Sequence, residues 1–248
     1  MISKNQLKLI QSLKLKKNRN KYALFVAEGE KVVKELLISN LKLHSVYALK
    51  EFIAENNLES DHVFEVNEKE LGKISNLKSP NKVLAIFEMP ENKVSDISSG
   101  LTIALDSIND PGNLGTIIRL ADWFGVEKIL CTMDTVDAYN PKVVMSTMGS
   151  ISRVQIVYCD LKEVLSKTDK IIYGAFLEGE NVYESELSED AVLLIGNESH
   201  GISAEVEKLV SDKVNIPQFG NKHETESLNA AIATSILLSE IKSRKIRK

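Results

Sequence analysis

The chain has 248 residues, of which 43% are hydrophobic, so it can fill the cores of two domains and is not disordered by composition. Its two cysteines, Cys131 and Cys159, lie in apolar stretches, which excludes a disulfide framework and favours a reducing compartment. No stretch of about 18 apolar residues is present, the basic N-terminus lacks the apolar core of a secretory signal, and the four histidines are not spaced as metal ligands. We therefore expect a cytoplasmic protein that uses neither a membrane nor a metal.

Basic residues are concentrated at the two ends of the chain, although the net charge is −4. Residues 1–34 contain nine lysines and arginines and two glutamates, and residues 241–248 contain five basic residues and no acidic ones. The stretch between them carries a charge of −16. A basic front and tail on an acidic body can contact nucleic-acid phosphates locally. A solvated helix face is the alternative, and it is the better interpretation for the tail.

The first ninety residues are predicted to form a small α/β unit. Apolar positions favour a helix over 3–18, followed by a polar break over 17–20. The next predicted elements are a strand over 22–27, a helix over 28–39, a strand over 43–49, a helix, a strand over 62–66, a helix over 68–74 and a strand over 82–88. The polar, proline-bearing stretch 89–93 is typical of a linker. The predicted domains are therefore 1–92 and 98–248.

After the linker the pattern changes to apolar runs, most of them separated by helices. Strands are predicted over 101–106, 128–132, 154–158, 171–176, 192–196 and 213–216. Runs that are apolar throughout are typical of a parallel sheet covered on both faces. A long helix is predicted over 227–242, and Ser227 is a natural N-cap for it.

The first of three polar loops follows the strand over 101–106. It runs from Asp106 through Asn113 to Gly115 and leads into a helix that carries Arg119. Open α/β sheets bind ligands at the carboxyl ends of their strands, and Asn113 and Arg119 are close enough in sequence to act on one ligand. The loop is therefore a candidate binding element, and a helix cap with a surface arginine is the alternative.

The second and third loops follow later strands. The second places Glu198 between Gly196 and Gly201, which packing explains poorly, and a polar turn that caps the next helix is the alternative. The third leads from Ile216 to Ser227, where exposed amides at a helix start suit an anionic ligand, and a plain N-cap is the alternative. Neither a dinucleotide-binding fingerprint nor a phosphate loop with its lysine is present.

The three motifs, in this order, resemble those of the SpoU (TrmH-type) RNA 2′-O-ribose methyltransferases of the SPOUT superfamily. The resemblance rests on Asn113 and Arg119 in the first motif, Gly196, Glu198 and Gly201 in the second, and Ile216, Pro217, Ser227, Leu228 and Asn229 in the third. The stretch Phe25-Val26-Ala27-Glu28-Gly29 is similar to the Phe-Val-x-Glu-Gly of the family's RNA substrate-binding domain. The resemblance covers nearly the whole chain.

The resemblance implies an α/β fold with a small N-terminal RNA-binding domain and a C-terminal methyltransferase domain that contains a mainly parallel sheet and a deep trefoil knot. It also implies a homodimer through the catalytic domains and methylation of a ribose 2′-hydroxyl, with ribosomal RNA as the expected substrate. The implied cofactor is S-adenosyl-L-methionine, held around Ala175, Gly196, Ile216 and Leu228. The implied catalytic residues are Asn113, Arg119, Glu198, Ser227 and Asn229.

Among these residues, Arg119 is the one on which we expect the reaction to depend most. Because an arginine keeps its proton in a protein, we expect it to hold the target phosphate and stabilise the developing alkoxide instead of acting as a plain base. Glu198 would orient Arg119 or the substrate, and Asn229 would fix the loop geometry. Two departures matter: Met145 stands where many members carry an arginine, and the stretch 219–226 is longer than the usual loop, which could alter substrate access.

Three alternatives stay open. A non-catalytic RNA-binding protein on the same fold is disfavoured because Arg119, Glu198, Ser227 and Asn229 are all present. A transfer-RNA ribose methyltransferase is disfavoured because such enzymes tend to have short basic extensions in place of the N-terminal domain. A nucleotide-dependent oxidoreductase lacks its glycine fingerprint. The target base is not readable from any linear motif.

Overall fold

The computed structural model describes residues 2–91, 97–220 and 227–244. The chain divides into two compact units, Met1–Glu91 with Asp137–Ser152, and Asn92–Val136 with Arg153–Lys248. The domain boundaries expected from the sequence stay a prediction, and the structure adds that 137–152 packs with the N-terminal residues. Within the described ranges, no helix is both long and apolar enough to cross a membrane.

The helices and strands alternate along most of the chain. The helices are α1 (Lys4–Ser12), α2 (Lys16–Tyr22), α3 (Glu30–Leu37), α4 (Lys50–Glu55), α5 (Glu68–Ile74), α6 (Pro111–Trp123), α7 (Pro141–Ser146), α8 (Leu161–Leu165), α9 (Ala204–Glu207) and α10 (Ala230–Ser243). The strands are β1 (Leu24–Glu28), β2 (Leu43–Ala48), β3 (Val63–Glu65), β4 (Val83–Glu88), β5 (Thr102–Leu105), β6 (Lys128–Cys131), β7 (Gln155–Tyr158), β8 (Ile171–Asn181), β9 (Ala191–Ile195) and β10 (Asp212–Asn215).

The first unit is built on a four-stranded sheet in the order β1-β4-β2-β3. Strand β4 is antiparallel to both β1 and β2, and β3 is parallel to β2. Helices α1 and α5 begin with capping boxes, in which Ser3 pairs with Gln6 and Asn67 with Glu70, so their first turns are specified locally. The predicted small α/β unit at the N-terminus is confirmed.

The basic N-terminal segment departs from the prediction of one helix followed by a polar break. Helix α1 ends at Ser12, and the predicted break at 17–20 lies inside α2. The cause is Arg19, which is buried and donates through Nη1 to the carbonyl oxygens of Leu13 at 2.8 Å and Lys14 at 2.9 Å. These bonds satisfy carbonyl groups just after the end of α1 and close the turn between the two helices.

Residues 137–152 form part of the first unit through one ion pair and close apolar packing. The Arg19 guanidinium bonds to the Asp137 carboxylate, with Nε 2.9 Å from Oδ2. The ring centroids of Tyr139 and Phe25 lie 4.9 Å apart, and α7 packs against β1. Gly149 has φ +97°, and a Cβ there would come 2.5 Å from Cβ of Glu35, so only glycine fits.

Glu28, from the Phe-Val-x-Glu-Gly stretch, is a buried carboxylate with several donors. It accepts hydrogen bonds from the main-chain N–H of Asn76 at 2.9 Å, from Asn76 Nδ2 at 2.6 Å and from the Ser75 hydroxyl. These bonds fix the turn that follows α5 beside β1. The structure therefore gives this part of the motif a role in holding the first unit together.

The second unit contains a six-stranded sheet in the order β10-β8-β9-β5-β6-β7, and every neighbouring pair is parallel. The predicted parallel sheet is confirmed. Strand β8 runs beyond its predicted end at 176, and its pairing with β10 shifts from Gly174 opposite Lys213 to Glu180 opposite Val214. At this irregularity the two main chains come so close that a Cβ on residue 179 would lie 2.5 Å from the Lys213 carbonyl oxygen. Gly179 fits there because it has no Cβ.

The start of the last helix differs from the prediction. Helix α10 begins at Ala230, and its N-cap is Asn229 instead of Ser227. Asn229 Oδ1 accepts from the N–H groups of Ala231 at 3.0 Å and Ile232 at 3.2 Å. Asparagine and serine are both good N-caps, so the choice between them is set by position in the fold and not by residue type.

Candidate active site

The candidate site lies where the order of the second sheet reverses. The chain proceeds outward from β5 through β6 to β7, and the later strands β8, β9 and β10 lie on the opposite side of β5, with β9 next to it. The main chain continues the pairing past both strand ends, since Asp106 N–H donates to the Ile195 carbonyl oxygen at 2.9 Å. Such a switch point leaves a crevice outside the carboxyl ends of the two strands, where α/β proteins bind ligands.

The first loop is held by the start of α6. Asp110 is the N-cap, Pro111 occupies the first turn, and Asp110 Oδ1 accepts from the Asn113 N–H at 2.8 Å. The cap fixes the main chain of Asn113 in the first turn of the helix. Its side chain is therefore free to reach other segments.

Asn113 connects the first motif to the other two. Its Nδ2 donates to Glu198 Oε1, and its Oδ1 accepts from Asn229 Nδ2 at 2.8 Å. Asn229 in turn uses its own Oδ1 to cap α10. One carboxylate and two amides from three segments that are distant in sequence thus form a single hydrogen-bonded chain.

Glu198 lies at the tip of a short loop closed by its own main chain. Asn197 and Gly201 exchange two N–H to carbonyl bonds, each 2.9 Å long. Gly196 has no room for a side chain, because a Cβ there would come 2.3 Å from the carbonyl carbon of Gly201. Among the described residues Glu198 Oε2 has no hydrogen-bond donor, so this oxygen can accept from a ligand.

A cavity of about 620 Å³ lies beside this chain of hydrogen bonds. Its walls include all four predicted cofactor residues, and they also include Glu198 and Ser227. The predicted cofactor residues are Ala175, Gly196, Ile216 and Leu228. The volume lies in the usual range for small-molecule sites, and the lining combines apolar side chains, polar groups and three carboxylates.

Arg119 and Ser227 are placed differently from the other predicted catalytic residues. Arg119 is exposed on α6 and makes no hydrogen bond or ion pair with any residue that the structure describes. Six residues of helix place it roughly 9 Å along the axis from Asn113. Ser227 is exposed at the cavity wall. The structure therefore joins Asn113, Glu198 and Asn229 directly, and it leaves Arg119 and Ser227 available to a ligand.

Sequence reasoning missed Ser107, the second residue after β5. Ser107 has φ +60°, unusual for a residue other than glycine, and its hydroxyl donates to Asp134 Oδ2 at 2.6 Å. This hydrogen bond, with a second from Thr132, lowers the pKa of Asp134 below its usual value. A serine in a polar loop gives no sequence signal of such a conformation.

The sequence showed two departures from the family pattern, at Met145 and in the stretch 219–226. Met145 is half-buried on α7 in the first unit. Of the longer stretch 219–226, the structure describes only Phe219 and Gly220, and the rest lies outside the described residues. Among the described residues, no cluster of three or more histidine, cysteine, aspartate or glutamate side chains could hold a metal ion.

Comparison with known sequences gives two family matches. The profile of the SpoU rRNA methylase family matches residues 100–239, and that of the MRM3-like substrate binding domain matches residues 4–85. The chain is 31% identical over 246 residues to the 23S rRNA (guanosine(2553)-2′-O)-methyltransferase RlmP of Bacillus subtilis, with 97% of each chain covered.

Solved structures with the same architecture include two bound to S-adenosylmethionine. An AdoMet-bound rRNA methyltransferase from Sinorhizobium meliloti is 31% identical, with a TM-score of 0.83 and coverage of 99% of this chain and 97% of that one. The SpoU methyltransferase AviRb from Streptomyces viridochromogenes, in complex with AdoMet, has a TM-score of 0.86, 24% identity, and coverage of 98% and 99%. At that identity the second likeness concerns the fold alone.

Proposed function

The chain belongs to the SpoU rRNA methylase family, and on this basis we propose that it transfers a methyl group from S-adenosylmethionine to a ribose 2′-hydroxyl of ribosomal RNA. The observation that carries the proposal is the hydrogen-bonded chain Glu198–Asn113–Asn229 at the edge of the 620 Å³ cavity. It places an acceptor oxygen of Glu198 beside a space of cofactor size. The Bacillus relative is named for this reaction on 23S rRNA.

The cavity has the chemistry that S-adenosylmethionine requires. Leu228, Ile216 and Leu237 provide apolar walls suited to the adenosine, and the main chain around Ala175 and Gly196 provides polar groups. When bound, the cofactor supplies an electrophilic methyl group on a positively charged sulfur. The Glu198 carboxylate lies at the wall of the same cavity, where a negative charge is favourable for a cationic ligand.

The chain's own residues position the hydroxyl and assist the loss of its proton. Glu198 has one oxygen held by Asn113 and the other available to accept a hydrogen bond from the ribose. Because Asn229 is fixed by capping α10, Asn113 and Glu198 are held in a single arrangement before RNA binds. Such preorganisation is the main contribution a protein can make to an in-line displacement.

Arg119 is proposed to bind the phosphate next to the target ribose. It is exposed, unpaired within the described residues and permanently charged, which suits a phosphate ligand. A guanidinium there also stabilises negative charge that develops on the 2′-oxygen. Ser227, exposed at the cavity wall, adds a hydroxyl donor on the same side.

The decisive experiment supplies methyl-labelled S-adenosylmethionine with unmodified ribosomal RNA and, separately, transfer RNA. Label in an alkali-resistant dinucleotide from ribosomal RNA is the expected result, since 2′-O-methylation blocks alkaline cleavage of the next phosphodiester. Label in transfer RNA alone would show that the substrate is transfer RNA and not ribosomal RNA. An absence of both label and cofactor binding would leave an RNA-binding protein on an inherited fold.

A homodimer through the catalytic domains is also part of the proposal. Helices α6 and α10 pack against each other, and each carries a large exposed apolar residue, Trp123 at 84% exposure and Ile232 at 53%. A subunit interface would bury such residues. Light scattering after gel filtration should give twice the mass of one chain, and a monomer at micromolar concentration would contradict this part of the proposal.

The remaining parts concern the knot, the compartment and metals. The trefoil knot is supported by membership of the SpoU family, and the cavity expected to lie beside the knot is lined by Ala175 in β8 and by Gly196, Ile216 and Leu228. A cytoplasmic location is supported by two free cysteines, Cys131 and Cys159, both buried. Independence from metals is supported by the spacing of the histidines, and methyl transfer should continue in excess EDTA.

A further inference from the structure

The second loop contains a residue that none of the motif positions uses, Asn197. Its Nδ2 donates to the carbonyl oxygen of Ser107 at 2.7 Å. Its Oδ1 accepts from the N–H groups of Ser199 at 2.8 Å and His200 at 3.2 Å. Its own main chain exchanges both bonds with Gly201. One side chain therefore shapes the loop around Glu198 and also fastens that loop to the turn after β5.

The turn that receives Asn197 is itself held rigidly. Ser107 has φ +60°, its N–H donates to Thr132 Oγ1 at 2.8 Å, and its hydroxyl donates to Asp134. A non-glycine residue keeps such a backbone only when its surroundings determine it. The carbonyl oxygen of Ser107 is thus a fixed point to which the Glu198 loop can be tied.

The far end of the loop is tied to the same turn. Asp106 is buried, and its Oδ2 accepts from the Ser203 N–H at 2.8 Å. Residues 197 to 203 are therefore fastened at both ends to Asp106 and Ser107, and Glu198 lies between the two fastenings. The Asn113 side chain meets Glu198 from the helix that follows the same turn.

We infer that Asn197 is a positioning residue for the methyl transfer, which acts by holding the Glu198 carboxylate in place against Asn113. The inference rests on the proposed function. Without the Asn197 amide, the Ser107 carbonyl oxygen and two N–H groups of the loop lose their partners. The loop is then fastened to the turn only at its far end, through Asp106 and Ser203, and the Glu198 side chain is held only by Asn113. A shift of about 1 Å in a catalytic group costs on the order of 100-fold in rate.

Two variants separate the two halves of the amide. Asn197→Ala removes both halves, and single-turnover methyl transfer at saturating RNA should slow about 10- to 100-fold. Asn197→Asp keeps an acceptor for Ser199 and His200 but cannot donate to Ser107, and it should be about as slow. A wild-type rate in either variant overturns the inference. The dissociation constant for S-adenosylmethionine should change less than about threefold, and a larger change would assign Asn197 to cofactor binding instead.

A double-mutant cycle tests whether Asn197 acts through Glu198. The rate of Asn197→Ala/Glu198→Gln should equal that of Glu198→Gln, because a residue that only positions a carboxylate has no effect once the carboxylate is gone. Full additivity in the cycle would overturn the inference. Amide hydrogen exchange over residues 197–203 should also become faster in Asn197→Ala.

Asp160→Ala is the matched control. Asp160 also accepts a main-chain N–H, that of Glu163 at 3.0 Å, and it belongs to the same unit but lies outside the site. Asp160→Ala should lose about as much folding stability as Asn197→Ala while keeping the wild-type transfer rate. If wild-type protein transfers no methyl group, the proposed function fails. If wild-type protein is active and Asn197→Ala matches it, only the present inference fails.

Discussion

Two arginines, one in each unit, show how differently the same residue type is used. Arg19 in the first unit is buried, and its guanidinium bonds to two carbonyl oxygens and to Asp137. Arg119 in the second unit is exposed and has no partner among the described residues. A buried charge must be fully paired, whereas an exposed charge with free donors can meet a ligand. The first arginine thus maintains the fold, and the second is available to a ligand.

The two motif glutamates repeat this contrast. Glu28 is buried and accepts from Ser75 and Asn76, with both oxygens in use. Glu198 is half-buried, and only one of its oxygens is held by a described residue. Both stand next to or near a glycine in a motif typical of the family. Hydrogen-bond saturation, and not the motif, therefore separates a structural carboxylate from one suited to chemistry.

The largest effect on free energy is expected from Arg19→Ala. Removing the guanidinium leaves the buried Asp137 carboxylate without its partner, and the free energy of unfolding should fall by about 3–5 kcal/mol. Urea denaturation followed by far-UV circular dichroism would measure the loss. Lys17→Ala, an exposed neighbour in α2, should change stability little. Equal stability of the two variants would mean that the buried pair does not hold the unit together.

A second, smaller effect is expected on turnover when Arg119, whose donors have no partner among the described residues, is changed. Arg119→Ala should lower methyl transfer about 100-fold or more, because it removes a donor aimed at charge that develops on the substrate. Its midpoint of thermal unfolding should match that of wild type, since no described residue loses a partner. Arg153→Ala, which removes an arginine paired with Asp122, is the control and should keep full activity. Wild-type turnover in Arg119→Ala, with cofactor binding intact, would contradict the assignment.

Glu28→Gln should act in the opposite sense, on stability and not on turnover. The amide NH₂ would face the donors of Ser75 and Asn76, so at least one charge-assisted hydrogen bond is lost, at a cost of about 1.5–3 kcal/mol. Urea denaturation measures this cost, and Glu30→Gln, a partly exposed neighbour in α3, serves as the control. A loss of turnover at saturating RNA, without a loss of stability, would place Glu28 in the chemistry.

Most elements of the fold were predictable because their signals are local. Periodicity and capping residues identify α5 at its observed bounds, and apolar runs identify the strands of the parallel sheet. The predictions that were wrong concern elements whose structure depends on a residue far away in the sequence. Arg19 is helical and buried because its guanidinium pairs with the carboxylate of Asp137, 118 residues away. No window of sequence contains both residues.

The candidate site was predictable in part for a related reason. The carboxyl ends of neighbouring parallel strands meet at one edge, so the meeting of Asn113 and Glu198 follows from their places after β5 and β9. The roles of Asn197 and Ser107 depend on a single side-chain bond and a positive φ angle. The cap of α10 falls on Asn229 because this residue bonds Asn113 as well. Such details arise from tertiary contacts.

The smallest effect concerns Cys159, a titratable group whose pKa is shifted mainly by burial. Burial raises the pKa of the Cys159 thiol from 9.0 to about 11, with further contributions from Asp160 and Glu163. The folded state therefore prefers the neutral thiol, and the associated stability is fully present below pH 9 and is lost as the pH rises towards 11. The difference in unfolding free energy between wild type and Cys159→Ala should be constant from pH 7 to 9 and then fall. A difference that stays flat up to pH 11 would mean that the thiol is as well solvated in the folded chain as in the unfolded one.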